Sequence, residues 1–161
     1  MRSARDRLRR SGVTGALLLG ATAAARAQNI QLSALQGVSF GPMLPGVSTV
    51  VSRADGARAA LFNIKGSGSG RTVLVQFVLP AALSGPGGAT LPLSYGASDA
   101  GFSAQQTIGS QIAFDPRVPY VATLSGRGRG SVYLGATATP SSNQATGSYS
   151  ATLTLNIIYF P

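Results

Sequence analysis

The chain has 161 residues, with 13 basic and 4 acidic side chains, a formal charge of +9, and neither cysteine nor histidine. It therefore has no thiol nucleophile, no imidazole base, and no cysteine or histidine ligand for zinc or haem. Glutamate is also absent, so the only side-chain carboxylates are those of Asp6, Asp55, Asp99 and Asp115. This composition argues against an enzyme and predicts no catalytic residue, metal site or cofactor.

The first 27 residues have the composition of a secretory signal peptide. Five arginines lie among residues 1–10 and precede a short apolar run centred on residues 16–19. Ala25 and Ala27 place small residues where a signal peptidase reads the chain, which predicts cleavage before Gln28. Because the apolar run is too short to span a bilayer, we expect no integral membrane segment after cleavage. The protein is expected to pass through the periplasm to the cell surface or the medium.

Removal of the signal changes the charge of the chain. The signal holds six arginines and one aspartate, so the net charge falls from +9 to +4 in the remaining 134 residues, 28–161. Their seven cations are scattered along the sequence, apart from Arg127 and Arg129. They form no basic stripe, which disfavours a nucleic-acid partner. One domain of this length can bury a core without disulfides.

From Gln28 onward, apolar residues recur at every second position, which is the period of β-strands. The first such segment leads into a proline-bounded turn at 41–46. Further strands are predicted at 47–51, 60–65, 72–79 and 90–95, separated by glycine-rich loops. The strand at 72–79 is apolar on both faces, which is typical of a central strand.

The second half of the chain has a weak pattern at 96–113 and a strong one at its end. Short strands are predicted at 120–124 and 131–139, joined by the glycine-arginine turn at 126–130. The closing segment 147–159 alternates most regularly, with Leu153, Leu155 and Ile157 on the face assigned to the core, and is predicted to be a long core strand. Eight or nine short strands at this spacing are typical of an antiparallel β-sandwich.

Three separated stretches carry glycine, proline and aromatic residues in a recognisable order. The residues are Phe40, Gly41, Pro45 and Gly46; Ala60, Phe62, Ile64 and Gly66, with Leu79 and Pro80; and Gly147, Tyr149 and Ser150. In this order the chain resembles a family of secreted bacterial proteins, described as a domain of unknown function and related to the spore coat protein U domain. Residues 99–125 lie outside the resemblance.

The resemblance implies an immunoglobulin-like β-sandwich and a kinship with chaperone-usher fimbrial subunits. Such subunits resemble one another in a last strand with a glycine twelve residues before a near-terminal tyrosine, as Gly147 precedes Tyr159 here. Phe160 and Pro161 follow this tyrosine, which departs from the family pattern. The implied partners are the chain itself or related subunits, a periplasmic chaperone and an outer-membrane usher.

Strand addition is the assembly mode that this kinship implies. A sandwich with an open edge is completed by an extended, alternately apolar segment of another chain. Ile30, Leu32 and Ala34 give the amino-terminal segment this pattern and make it a candidate donor strand. The candidate assembly strand carries Gly147, Tyr149, Leu153, Leu155, Ile157 and Tyr159. Alternatively, residues 28–36 are the first strand of a complete sandwich, which the short spare length of chain favours.

Two functions remain as hypotheses. The first is a non-enzymatic structural protein of the cell surface that resembles a coat or fimbria-type subunit. The alternative is a monomeric secreted module that binds carbohydrate or another surface ligand through Tyr95, Tyr120 and Tyr133. The aspartates at 55, 99 and 115 are expected in turns, because none has the neighbouring oxygen ligands of a calcium site.

Overall fold

The computed structural model describes residues 30–66 and 70–160, and these residues form an almost entirely β-structure. The strands are β1 (Gln31–Gln36), β2 (Thr49–Val51), β3 (Ala60–Lys65), β4 (Thr72–Val78), β5 (Ala82–Ser84), β6 (Thr90–Ser94), β7 (Ala100–Ser103), β8 (Ile112–Phe114), β9 (Tyr120–Thr123), β10 (Arg129–Leu134), β11 (Ala136–Ala138) and β12 (Thr154–Tyr159). Single 3-10 turns lie at Pro86–Gly88 and Ile108–Ser110. The predicted signal peptide and its cleavage site before Gln28 lie outside the described residues.

The strands form three antiparallel sheets. The first has five strands in the order β1-β3-β10-β7-β8, the second three in the order β12-β4-β9, and the third four in the order β2-β11-β6-β5. The all-β, sandwich-like prediction is confirmed. The twelve strands in the described ranges exceed the eight or nine expected, because four of them have only three residues.

The main core lies between the five-stranded and the three-stranded sheets. Phe62 of β3 meets Phe77 of β4 across this space, with ring centroids 6.3 Å apart. Phe114 of β8 stacks on Tyr120 of β9 at 4.2 Å. Alternate residues of the central strands, such as Val75, are buried here, as the period-2 pattern predicts. The two sheets therefore pack face to face as a sandwich.

A second, smaller core lies beneath the four-stranded sheet. Phe40, Val51 and Leu91 are buried in it. The chain passes from the first sheet to this one at Gly135, between β10 and β11. A side chain at Gly135 would collide with the carbonyl oxygen of Val51, so this close crossing requires glycine.

The alternating pattern predicted the strand faces better than the strand positions. The strand at 72–79 is confirmed as central, since β4 lies between β12 and β9. The strand at 120–124 pairs with β4. The closing segment was expected to be one long core strand, but β12 covers only Thr154–Tyr159 and lies at a sheet edge. Alternation shows which face is buried and carries no information about how many neighbours a strand has.

Candidate functional site

The backbone of β12 has one paired side and one open side. The amide of Phe160 donates a hydrogen bond to the carbonyl of Thr72 on the β4 side. In an antiparallel pair, hydrogen-bonded positions alternate along the strand. The backbone N–H and C=O groups of Asn156 and Ile158 therefore also point towards β4. The N–H and C=O groups of the intervening residues 155, 157 and 159 then point to the other side of β12. No strand of the described ranges pairs with that side.

The open side continues towards residue 147. Ser150 exchanges two backbone hydrogen bonds, of 3.0 Å and 2.8 Å, with Ser84 of β5. The backbone groups of even-numbered residues thus again point towards the neighbouring strand. The backbone groups of Tyr149, like those of Leu155 and Ile157, therefore point to the open side. All six residues predicted for the assembly strand are odd-numbered, as these three are. Leu155, Ile157 and Tyr159 lie in β12, whereas Gly147, Tyr149 and Leu153 precede it.

The side chains of the odd-numbered residues in and just before β12 point into the molecule. Leu155 is buried, and Leu153, Ile157 and Tyr159 are partly buried and pack against the main core. Thr154 and Asn156 are exposed on the opposite face, as predicted. An incoming strand along this edge would therefore continue both the hydrogen-bond ladder and the apolar inner face of the three-stranded sheet.

The candidate donor residues lie in or beside β1, which is the edge strand of the five-stranded sheet. Leu32 pairs with Ile64 and Ala34 with Phe62, so both belong to the face that β3 buries. Leu32 is nevertheless 38% exposed, and Ala34 is exposed as well. Ile30 is half-buried and packs against the main core. The inner face of β1 thus has little covering it, because the opposing sheet has only three strands.

A cleft of about 650 Å³ separates the chain that follows β1 from the chain that precedes β12. The residues that define its two walls are Val38, Phe40, Met43, Gln144, Tyr149 and Ala151. All of its lining residues are uncharged. The amide of Gly46 donates a 3.0 Å hydrogen bond to the carbonyl of Ser141, which ties the segments behind the two walls together. The cleft is therefore a built feature of the fold.

Tyr149 has a fixed position in this cleft. Its hydroxyl donates to the carbonyl of Ala145 at 2.7 Å and accepts from Nε2 of Gln144 at 2.7 Å. A side chain at Gly85 would collide with the tyrosine ring. Gly147 has a φ of 144° and lies against Pro86, so any other residue there would be strained. Gly147 and Tyr149 therefore shape the end of the open edge.

The open groove is the name that we give to the open side of β12 together with this cleft, whose lining residues follow β1 and precede β12. Alternation in the sequence identified the apolar residues in and beside β1 and β12. It missed the cleft, whose walls come from loops without a periodic signal, and the exposure of β1, which depends on the width of the opposing sheet.

The three aspartates of the described ranges lie in turns, as expected. Asp55 accepts hydrogen bonds from the amides of Ala57 and Arg58, and Asp99 accepts one from Gly96. Asp115 pairs with the Arg117 guanidinium at 2.7 Å, and this bond lowers the pKa of Asp115 to about 2. Within residues 30–66 and 70–160, no three acidic residues converge as a metal site.

The three tyrosines considered for a sugar platform have separate packing roles. Tyr133 is only 5% exposed. Tyr120 stacks on Phe114. The hydroxyl of Tyr95 donates to the carbonyl of Pro80 at 3.1 Å, and burial raises the pKa of Tyr95 to about 12. With one ring buried and another stacked on a core residue, the three rings form no shared binding face.

Comparison with known proteins adds no relative. No protein-family model matches the chain, and no curated protein sequence matches it. In the part of the chain that the structure describes, no helix is long and apolar enough to cross a membrane.

Proposed function

We propose that this chain is an exported, non-enzymatic structural subunit of a surface coat or fibre, and that it assembles by strand addition in the open groove. The observation that carries the proposal is the open side of β12. There, backbone groups that no strand of residues 30–66 or 70–160 pairs with, and partly buried apolar side chains, occur at the same residues. Edge strands of this kind pair readily with another chain unless something blocks them. β12 has neither a lysine nor a proline along this edge.

The donor in this proposal is the segment around residues 30–34 of a second copy. It alternates Ile30, Leu32 and Ala34 with polar or small residues, which suits one apolar and one polar face. Because Leu32 and Ala34 are exposed in the single chain, release of β1 from β3 loses less apolar burial than release of a core strand. In transit, the proposed periplasmic chaperone lends a strand to the groove, and the usher exchanges it for the donor.

The experiment compares Ile157→Pro with Ile157→Ala. Proline at 157 removes an N–H that faces away from β4, so the β12–β4 ladder keeps its hydrogen bonds while strand addition is blocked. Alanine removes a similar part of the side chain and keeps the N–H. Size-exclusion chromatography is expected to show polymers of the native protein and of Ile157→Ala, and monomers of Ile157→Pro. Polymers of Ile157→Pro, or a native protein that stays monomeric at high concentration, would contradict the proposal.

A peptide of residues 28–36 tests the donor separately. The peptide is expected to bind the Ile157→Ala monomer fraction and to stop polymer growth, whereas the same peptide with Leu32→Asp is expected to do neither, because an unpaired charge does not enter an apolar groove. If the two peptides bind equally well, or if neither binds, Leu32 does not enter the groove and another segment is the donor.

A further inference from the structure

Four of the seven cations in the described residues look scattered in the sequence but lie at one end of the sandwich. Lys65, the last residue of β3, is the cross-strand partner of Arg129, the first residue of β10. Arg127 lies in the turn immediately before Arg129. All three side chains are exposed. Pairing of β3 with β10 thus brings together cations that are more than sixty positions apart in the chain.

Arg71 joins the same end. The amide of Leu124 donates a 2.8 Å hydrogen bond to the carbonyl of Arg71, and Leu124 leads directly into the turn that carries Arg127. The amide of Gly70 also donates to the carbonyl of Ser125 in that turn. The basic end is the name that we give to Lys65, Arg71, Arg127 and Arg129.

The basic end holds the whole excess charge of the described residues. Elsewhere in those ranges the charged residues are Arg53, Arg58, Arg117, Asp55, Asp99 and Asp115, three of each sign. Arg58 pairs with Asp55 and Arg117 with Asp115, each at 2.7 Å. Within residues 30–66 and 70–160, none of the four cations of the basic end forms an ion pair. Four like charges at one end attract an anionic partner.

An exposed aromatic residue lies at the same end of the sandwich. The amide of Phe160 donates to the carbonyl of Thr72, next to Arg71, and the Phe160 side chain is 43% exposed. The Arg71 guanidinium lies 5.5 Å from the centre of the Tyr159 ring. Cations and an exposed aromatic ring at one end of a domain suit the headgroup layer of a membrane, where charge meets phosphate and the ring reaches the apolar boundary.

We propose that the basic end binds the surface of an anionic phospholipid membrane, independently of assembly through the open groove. A second copy of the chain fits less well, because the rest of the described surface has balanced charge and offers no acidic patch to match. A soluble polyanion would use the four cations and leave Phe160 without a role. The lipid surface uses both features.

The test is cosedimentation of the native protein with vesicles of an equal mixture of phosphatidylcholine and phosphatidylglycerol, and with vesicles of phosphatidylcholine alone. Binding is expected to the anionic vesicles only and to weaken at high salt. Each cation near such a surface contributes enough to change the affinity about five-fold. The double variant Arg127→Gln, Arg129→Gln is therefore expected to bind about 30-fold more weakly.

The matched control is Arg58→Gln, Arg117→Gln, which removes the same charge far from the basic end and is expected to change the affinity less than two-fold. Equal losses in the two double variants would overturn the proposal, as would equal binding to both kinds of vesicle.

Phe160→Ser is expected to weaken vesicle binding several-fold and to leave binding to soluble polyphosphate unchanged. If the native protein binds polyphosphate and ignores anionic vesicles, the partner is a soluble polyanion and the lipid proposal is wrong. Melting curves of the three variants are expected to match that of the native protein, since the substituted side chains are exposed.

Discussion

β1 and β3 are neighbours in one sheet and have similar apolar patterns, yet they differ in what covers them. Ile64 and Phe62 of β3 are 0% and 6% exposed, whereas their partners in β1, Leu32 and Ala34, are exposed. The five-stranded sheet extends beyond the three-stranded sheet that faces it, so its outermost strand has little above it. An apolar face is buried only where the opposite layer is wide enough.

The largest expected difference between the two strands comes from introducing a charge. Ile64→Asp would place a carboxylate in the core without a partner, and the protein is expected not to fold. Leu32→Asp places the same carboxylate at an exposed position and is expected to give a folded protein that no longer polymerises. Circular dichroism and size-exclusion chromatography measure the two effects. If Leu32→Asp also unfolds the chain, β1 is an integral first strand and not an exchangeable donor.

Truncation is expected to reproduce the same contrast on a smaller scale. Phe62→Ala leaves a cavity between the sheets and is expected to lower the free energy of unfolding by about 3–5 kcal/mol. Leu32→Ala removes a side chain that already meets solvent, so a loss of less than about 1 kcal/mol is expected. Urea denaturation measures both values, and similar losses at the two positions would show that β1 is covered in solution.

The two faces of β12 offer a third comparison. Leu155 is 6% exposed and packs against the main core, whereas Thr154 is exposed. Leu155→Ala is expected to cost about 2–5 kcal/mol of stability. Thr154→Ala is expected to stay within about 0.5 kcal/mol of the native value. Thermal melts distinguish the two, and equal tolerance would mean that the faces of β12 are assigned the wrong way round.

The smallest expected effect concerns Tyr95, at the edge of both cores. Burial raises the pKa of its hydroxyl from 10.0 to about 12 in the folded protein. The folded state therefore holds this proton more tightly than the unfolded chain does, and the stabilisation is present below pH 10 and lost as the pH rises towards 12. Unfolding of Tyr95→Phe is expected to depend less steeply on pH in this window. An unchanged slope would show that the Tyr95 hydroxyl is accessible to solvent.

Alternation in the sequence predicted what depends on neighbouring residues of one strand. It predicted the inner face of β12 through Leu155 and Ile157. The apolar composition of β4, and not its alternation, predicted a central strand. Alternation did not predict that β12 is an edge strand, because the number of neighbours depends on pairings between distant segments. Glycine-rich and polar loops carry no period, so the cleft beside Tyr149 had no signal of its own.

The positions of the charged residues show even more clearly that pairings between distant segments were not predicted. Lys65 and Arg71 are far from Arg127 and Arg129 in the sequence, which suggested scattered cations. Antiparallel pairing of β3 with β10 and of β4 with β9 places the ends of these strands side by side, so the cations gather. A prediction of the basic end would have needed the strand register, which single residues do not specify.

Amide hydrogen exchange along β12, measured residue by residue with NMR, tests the open groove most directly. In the monomer, the amides of Asn156 and Ile158, which bond to β4, are expected to exchange slowly, and those of Leu155 and Ile157 rapidly. After assembly, or after addition of the peptide of residues 28–36, all four amides are expected to be protected. Slow exchange of Leu155 and Ile157 in the monomer, or continued rapid exchange in the polymer, would contradict strand addition at this edge.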